Sequence, residues 1–316
     1  MVVHSSLLHR MDAVSSWEIY SFSIPLTLGG DRKGFVIRLG KKWAEVAPFP
    51  GRSSESLEEA MGQLLAFFQE GKKEHLVPSV QFGIENLFRT PLYPLKASTY
   101  AFLNAKEAQH LRHTTIKIKI GSLTIEEAQT LISALSKQFR LRVDCNSAFS
   151  FQEALTLFEP FDPTLFDYIE DPTYELQHLP EFTHPFALDE TLVQYETPPK
   201  NFYGYILKPT ILGGKKGCLP FVEYAKMHKL KVILSPAFET GLGLLQILKL
   251  GQELDLLNEQ IGLDTHRFLT YDILSEQLHF NTPEVTIIRE AKVDLNRLKK
   301  IAEGTNGTLS SFSTSK

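Results

Sequence analysis

The chain has 316 residues, of which 43% are hydrophobic, so it is too long for one small domain and apolar enough to bury a large core. Its formal charge is −4 and its lysines and arginines are scattered, which argues against a surface for nucleic acid or anionic membranes. Two cysteines, Cys145 and Cys218, are too few for a disulfide framework or a cysteine-based metal site.

The amino-terminal part of the chain predicts a small α+β domain. Its β-rich stretches are 17–26, 34–39 and 43–47, and helical patterns follow at 56–69 and 79–89. The first helix opens with Ser56 and Glu59 in the spacing of a capping box. We therefore place a capping domain over residues 1–95 and leave open that residues 275–303 return to it.

After residue 95, short β-branched or apolar runs alternate with amphipathic helical segments. The strand candidates are 98–102, 115–120, 141–145, 166–169, 186–188, 204–207, 231–234 and 260–263, with helices at 124–138, 151–157, 220–228 and 242–254. Such a βα repeat predicts a TIM-like barrel over residues 96–274. An open doubly wound sheet is the alternative, although its Gly-x-Gly-x-x-Gly signature is missing after the first strand. Residues 304–316 are small and polar and predict a flexible tail.

The second barrel strand contains an unusual pair of charges. Residues 115–121 read TIKIKIG, and alternation along a strand puts Lys117 and Lys119 on one face. A parallel strand covered by helices is buried on both faces, so two ammonium groups there need compensating charge. An edge strand with one solvated face is the simpler interpretation of an isolated lysine pair.

Polar residues also stand at the carboxyl ends of the next four strands. They are Arg142, Asp144 and Asn146 on the first of these strands, followed by Glu170, Asp189 and Lys208. The carboxyl ends of barrel strands converge on one mouth, where active sites are built. Carboxylates from three adjacent strands form an all-oxygen pocket that suits a hard cation such as Mg²⁺. We therefore predict a magnesium site at Asp144, Glu170 and Asp189, with lysines on both sides acting on a carbon next to a carboxylate.

These residues resemble those of the enolase superfamily, in the branch containing muconate-lactonizing enzymes, acylamino-acid racemases and o-succinylbenzoate synthase. Sites of that superfamily combine a lysine or histidine base with one or two Mg²⁺ ions. The similarity to the o-succinylbenzoate synthase family is closer still. It rests on AEVAPFPG at 44–51, PSVQFG at 78–83, LKPTILG at 207–213, SPAFETGLG at 235–243 and GLDT at 262–265.

The resemblance implies a fold, a reaction and a set of roles. The fold is a modified TIM barrel of the (β/α)7β type with an N-terminal α+β capping domain. The reaction is syn-dehydration of 2-succinyl-6-hydroxy-2,4-cyclohexadiene-1-carboxylate to 2-succinylbenzoate in menaquinone biosynthesis, through a metal-stabilised enediolate. The catalytic residues are Lys119, which handles the proton, and Lys208; the substrate-binding residues are Lys117, Arg142, Asn146 and Ser235, where the loop for the succinyl carboxylate begins.

Two other functions stay open at this point. An N-acylamino-acid racemase or dipeptide epimerase fits the same scaffold, because two lysines on opposite faces of an α-carbon suit a two-base proton exchange. A silent barrel that serves as a binding or scaffold protein is the other alternative. Glu190 follows a predicted ligand, but strand alternation turns it away from the site, so we leave it out of the predicted set.

Location and partners follow from hydropathy. No run of about 18 apolar residues occurs, and residues 1–16 lack the apolar core of a secretion signal. We therefore expect a cytoplasmic protein that acts on a small-molecule substrate, without a nucleic-acid or membrane partner. The sequence does not decide between a monomer and a homo-oligomer.

Overall fold

The computed structural model describes residues 16–72, 74–103, 113–276, 278–280 and 283–305. An antiparallel sheet of four strands, a parallel sheet of seven strands and a two-stranded ribbon form the framework of this part of the chain. None of its helices has the length and apolar content needed to traverse a lipid bilayer.

The elements follow the chain in an order that separates the two larger sheets. The strands are β1 (Ser16–Pro25), β2 (Asp31–Leu39), β3 (Lys42–Val46), β4 (Leu95–Ser98), β5 (Ala101–Leu103), β6 (Thr115–Lys119), β7 (Arg140–Asp144), β8 (Phe166–Glu170), β9 (Phe186–Leu188), β10 (Phe202–Leu207), β11 (Lys231–Leu234), β12 (Glu284–Ile287) and β13 (Lys299–Thr305). The α-helices are α1 (Leu57–Glu70), α2 (Pro78–Phe88), α3 (Ile125–Leu135), α4 (Phe151–Phe158), α5 (Pro209–Leu212), α6 (Gly214–His228) and α7 (Gly241–Leu254).

The antiparallel sheet has the order β13-β1-β2-β3, and apolar residues on both faces of β1 and β2 are buried, whereas β13 is mostly exposed. Alternation along β1 sends Trp17 and Ile19 into a core shared with α1 and α2, whereas Phe22 and Ile24 join the core of the parallel sheet. The sheet is therefore an apolar layer between its own helices and the barrel. The predicted capping box at the start of α1 is present, with Ser56 accepting from the backbone of Glu59.

The parallel sheet runs β5-β6-β7-β8-β9-β10-β11 in chain order, and a short eighth segment closes it. The predicted strand at 260–263 is reduced to an isolated bridge at Ile261, whose N–H donates to Ser98 O at 2.9 Å. On the other side, Gly262 N donates to Leu234 O at the end of β11, at 3.2 Å. This closure confirms a (β/α)7β barrel and excludes the open doubly wound sheet, whose strand order reverses at a switch point.

One helix begins earlier than its sequence pattern predicts. The amphipathic pattern predicts a helix that starts at Pro220. In the structure α6 runs through Pro220 and starts at Gly214. Gly213 and Gly214 have φ values of 88° and 67°, a left-handed conformation that turns the chain from α5 directly into α6.

The end of the described chain returns to its beginning. β12 pairs antiparallel with β4, and β13 pairs with β1, where Ser16 lies opposite Thr305. The predicted tail over 304–316 therefore overlaps β13 by two residues, and its remainder, 306–316, lies outside the described residues. The domain boundary near residue 95 stays a prediction.

Candidate active site

Inward-facing residues at the carboxyl ends of the barrel strands meet in a cavity of about 230 Å³. The capping domain contributes Phe49 and Arg52 to its wall. Of the nine residues predicted from sequence, seven line this cavity, namely Lys117, Lys119, Asp144, Asn146, Asp189, Lys208 and Ser235. The other two, Glu170 and Arg142, are fully buried next to it.

The order of the strands arranges the charges across the site. β7 and β8 end in Asp144 and Glu170, and Asp189 follows the end of β9. The lysine pair on β6 lies on one side of these carboxylates, and Lys208, directly after β10, lies on the other. The carboxylates are thus flanked by ammonium groups from both directions.

Lys117 is a fixed cation at the base of this arrangement. Its Nζ donates to both carboxylate oxygens of Glu170 at 2.7 Å and lies 3.0 Å from Asp144 Oδ2. Burial acts to lower the pKa of Lys117, but Asp144 and Glu170 outweigh it and raise that pKa well above its ordinary value. Lys117 therefore stays protonated and is unsuited to be the base.

Lys119 has a different environment although it is only two residues away. Its Nζ lies 3.5 Å from Asp144 Oδ2, and 49% of its side chain is exposed at the cavity. Lys208, on the opposite side, donates a hydrogen bond to Asp189 Oδ2. Burial acts to lower the pKa of Lys208, but Asp189 and Glu170 raise it above its ordinary value. Lys119 is therefore the more accessible amine, and Lys208 is a half-buried cation.

The strand ends are held by short polar contacts. Asp144 Oδ1 accepts from the backbone of Asn146 at 3.0 Å. Asp171 accepts from the backbone N–H groups of Asp189 at 3.2 Å and Glu190 at 3.0 Å, so it ties the end of β9 to the end of β8. Burial raises the pKa of Asp171 to about 7. Asp171 thereby positions a predicted metal ligand.

The fit of a metal ion can be judged from the donors. Among the described residues, no three His, Cys, Asp or Glu side chains are arranged to hold a metal ion, and the ammonium groups of Lys117 and Lys208 lie against the carboxylates. Added positive charge beside Glu170 would nevertheless be favourable, because burial, followed by the charge of Asp144, raises the pKa of this carboxyl well above its ordinary value. A hard dication suits this all-oxygen donor set.

Arg142 points into the barrel interior instead of the cavity. Its guanidinium donates to Asp167 and to Gln260 O, both at 2.8 Å, and lies 4.4 Å from the ring centroid of Tyr100. Only 1% of Arg142 is exposed. The structure therefore gives Arg142 a place in the interior layer of the barrel, and the predicted contact with substrate stays a prediction.

Side chains outside the nine predicted residues cover the mouth of the cavity. The expectation that Glu190 turns away is wrong, because β9 ends at Leu188 and strand alternation no longer applies two residues later. Glu190 lines the cavity and forms an ion pair with Arg52 of the capping domain. Phe49 stacks on Phe238 with ring centroids 5.5 Å apart, which completes an apolar wall.

A buried joint connects the capping sheet to the loop after β11. Arg32 donates to Phe238 O at 3.0 Å and to Pro48 O at 2.7 Å. The Glu45 carboxylate accepts from Thr240 and, at 3.1 Å, from Gly243 N at the start of α7. The similarities of 44–51 and 235–243 to family segments were the sequence signals for this joint, and they did not reveal that the two segments contact each other.

Comparison with known proteins identifies the family. Residues 103–291 match the family model described as Enolase C-terminal domain-like, and residues 15–88 match the one described as MenC, N-terminal domain. The o-succinylbenzoate synthase of Pasteurella multocida is 27% identical to this chain, with 84% of this chain and 93% of that protein covered.

Solved structures show the same fold. The L-Ala-D/L-Glu epimerase from Bacillus subtilis has a TM-score of 0.73 at 17% identity, covering 91% of this chain and 98% of that one. The muconate lactonizing enzyme from Pseudomonas putida has a TM-score of 0.72 at 16% identity, covering 90% and 98%. Enzymes of this superfamily generally use a divalent metal ion. Because the C-terminal family model spans more than half of the chain and the MenC model covers the capping sheet, the chain belongs to the enolase superfamily, within its o-succinylbenzoate synthase family of lyases.

Proposed function

We propose that this chain is an o-succinylbenzoate synthase that carries out the Mg²⁺-dependent syn-dehydration of 2-succinyl-6-hydroxy-2,4-cyclohexadiene-1-carboxylate in menaquinone biosynthesis. The observation that carries the proposal is the order of charges across the barrel, with lysines of β6 and after β10 on the two sides of three carboxylates. The relatives named o-succinylbenzoate synthase support this reaction over others on the same scaffold.

Asp144, Glu170 and Asp189 are the residues that would hold Mg²⁺. When bound, the ion would supply positive charge beside a substrate carboxylate as negative charge builds up on it. Lys117 orients Asp144 and Glu170 and keeps Asp144 ionised: although burial raises the pKa of Asp144, Lys117 and Lys119 lower it to about 2. A strongly ionised donor is what a hard cation requires.

Lys119 is the proposed acid/base, because it is the accessible amine of the pair on β6. In its neutral form it takes the proton from the ring carbon that bears the carboxylate, and the C–H bond breaks. It then returns this proton to the hydroxyl group on the adjacent carbon, whose C–O bond breaks to release water and leave an aromatic ring. Both transfers occur on one face, so one lysine is sufficient for a syn elimination.

Lys208 lies on the opposite side and provides a fixed positive charge. Its ion pair with Asp189 holds the ammonium group in place, and the charge stabilises the electron density released when the proton leaves. Ser235 and Asn146 line the same cavity and are proposed to contact the substrate.

Turnover of the purified chain tests the proposal. The cyclohexadiene substrate is incubated with and without EDTA while the ultraviolet absorbance of the aromatic product is followed. We expect a metal-dependent signal that falls by a factor of about 10² to 10⁴ in Lys119→Ala. Lys231→Ala is the matched control, because Lys231 is also half exposed and paired with a carboxylate, Glu259, but lies at the other end of its strand. Turnover without metal, or full activity in Lys119→Ala, contradicts the proposal.

A racemase or epimerase is the second candidate, because Lys119 and Lys208 lie on opposite sides of the carboxylates. Solvent deuterium that enters the α-position of an N-acylamino acid or dipeptide, with loss of configuration, would favour it.

A cytoplasmic location is proposed on the basis of Cys145 and Cys218, which are both free and buried, as in proteins of a reducing compartment.

A further inference from the structure

Arg52 is a cation at the cavity mouth that the proposed reaction leaves unused. It lies in the connection between β3 and α1, and its guanidinium forms an ion pair with Glu190. Both side chains line the cavity; 45% of the Arg52 side chain and 26% of the Glu190 side chain are exposed. The turn that carries Arg52 is well fixed, because Arg52 N donates to Phe49 O at 3.0 Å and Phe49 N donates to Ser53 Oγ at 2.8 Å.

The other cations of the cavity already have partners among the predicted metal ligands. Lys117 binds Glu170 and Asp144, and Lys208 binds Asp189. Lys119 faces Asp144 at 3.5 Å and is the proposed base. Arg52 differs from these lysines, because it comes from the capping domain and its partner Glu190 is not a predicted ligand.

The surroundings of Arg52 match an aliphatic chain that ends in a carboxylate. Phe49, three residues before Arg52, stacks on Phe238 with an interplanar angle of 9°, and both rings line the same cavity as Arg52. The loop after β11 lines the cavity with Ser235, Pro236, Ala237 and Phe238, which carry no positive charge. A carboxylate lying against this loop therefore needs a cation from elsewhere, because burial of an unpaired carboxylate is costly.

We propose that Arg52 binds the substrate carboxylate that is remote from the reacting carbon, and that Glu190 occupies this guanidinium when substrate is absent. The inference rests on the proposed function, whose substrate carries a second carboxylate on its succinyl chain. A guanidinium group binds a carboxylate through two parallel N–H···O bonds, a geometry that a lysine does not offer. Exchange of one carboxylate for another leaves the charge of Arg52 balanced, and Glu190, whose side chain is 26% exposed, keeps the amide of Asn146 as a hydrogen-bond donor at 3.4 Å.

Kinetics and product binding test the role of Arg52. For Arg52→Gln we expect KM to rise about tenfold, which corresponds to the loss of roughly one charged hydrogen bond. The kcat of this variant should stay within about a factor of three of the wild-type value. Calorimetry with Mg²⁺ then compares 2-succinylbenzoate with the analogue whose side-chain carboxylate is an amide. Wild-type protein should prefer the acid, and Arg52→Gln should bind both with similar affinity. The matched control is Arg38→Gln, because Arg38 forms a comparably exposed ion pair with Glu18 on the capping sheet.

Glu190→Gln is the reciprocal test. Removing the competing carboxylate should lower KM for the substrate. If Glu190→Gln instead raises KM as much as Arg52→Gln does, the proposal is overturned, because substrate binding then requires the ion pair and not a free guanidinium. An Arg52→Gln enzyme that keeps the full preference for acid over amide also overturns it. Both results presuppose a wild-type enzyme that forms 2-succinylbenzoate; absence of that turnover instead overturns the proposed function, and this inference with it.

Discussion

The joint between the capping sheet and α7 makes the stability of this protein depend on the protonation of Glu45. Only 3% of Glu45 is exposed, and its carboxylate accepts from Thr240 N at 3.2 Å and Gly243 N at 3.1 Å. Burial raises the pKa of Glu45 from 4.5 to about 8, although Arg32 and the hydroxyl of Thr240 act to lower it; the charge of Glu239 adds to the increase. The charge of Arg32 thus acts on two buried carboxylates, Glu45 and Glu239.

The direction of the pH effect follows from proton binding. Between the unfolded value of 4.5 and the folded value of about 8, native Glu45 holds a proton that the unfolded chain has released. The free energy of unfolding therefore falls as the pH rises through this window, by up to about 1.4 kcal/mol per pH unit from this one residue. Glu45→Gln keeps the shape of the side chain and removes the titration.

Denaturant unfolding at a series of pH values measures the effect. From about pH 6 to about pH 8, we expect wild-type protein to lose about 2–3 kcal/mol more stability than Glu45→Gln. Glu18→Gln is the control, because Lys300 lowers the pKa of Glu18, so this carboxylate is ionised throughout the same window in both states. If Glu45→Gln and wild-type protein lose equal stability between these two pH values, the Glu45 carboxyl does not release its proton in this pH range.

Three further predictions concern the barrel. Asp171→Ala leaves two backbone N–H groups at the end of β9 without their acceptor. We therefore expect the affinity for Mg²⁺ to fall about 10–100-fold with the fold intact. Calorimetry with Mg²⁺ measures this affinity, and an unchanged value contradicts the prediction. Gly204→Ala would place a Cβ 1.9 Å from Lys231 O at a φ of 150°. Denaturant unfolding should therefore show that the free energy of unfolding falls by at least about 1–3 kcal/mol. A variant as stable as wild type would disprove the close approach of β10 and β11. Lys117→Met leaves Glu170 buried without its cation, so thermal unfolding should show a loss of about 3–5 kcal/mol, and Lys96→Met on β4 serves as the exposed control.

Local geometry explains what the sequence could predict. Alternation along β6 and β7 puts Lys117, Lys119 and Asp144 on the inner face, and this needs no knowledge of distant residues. The repeat of strands and helices predicts the barrel, and chain-order pairing then brings those inner faces together at one mouth. The capping box at Ser56 is equally local, because its two partners lie within one helical turn.

Other features depend on contacts between segments that are far apart in the sequence, so they could not be predicted from it. Glu190 turns into the cavity because β9 ends before it, and its partner Arg52 comes from the capping domain. Arg142 shares the inner face with Asp144, but its position two residues earlier puts it against Tyr100 inside the barrel. The eighth strand shrinks to a bridge at Ile261, a length that no hydropathy pattern specifies.

The most direct test of the account is a crystal structure of the enzyme with Mn²⁺ in place of Mg²⁺ and with 2-succinylbenzoate, using anomalous scattering to locate the metal. We expect one anomalous peak bound by oxygens of Asp144, Glu170 and Asp189, with the amine of Lys119 facing the ring of the product. A metal peak elsewhere, or a product whose ring lies away from Lys119, would contradict it.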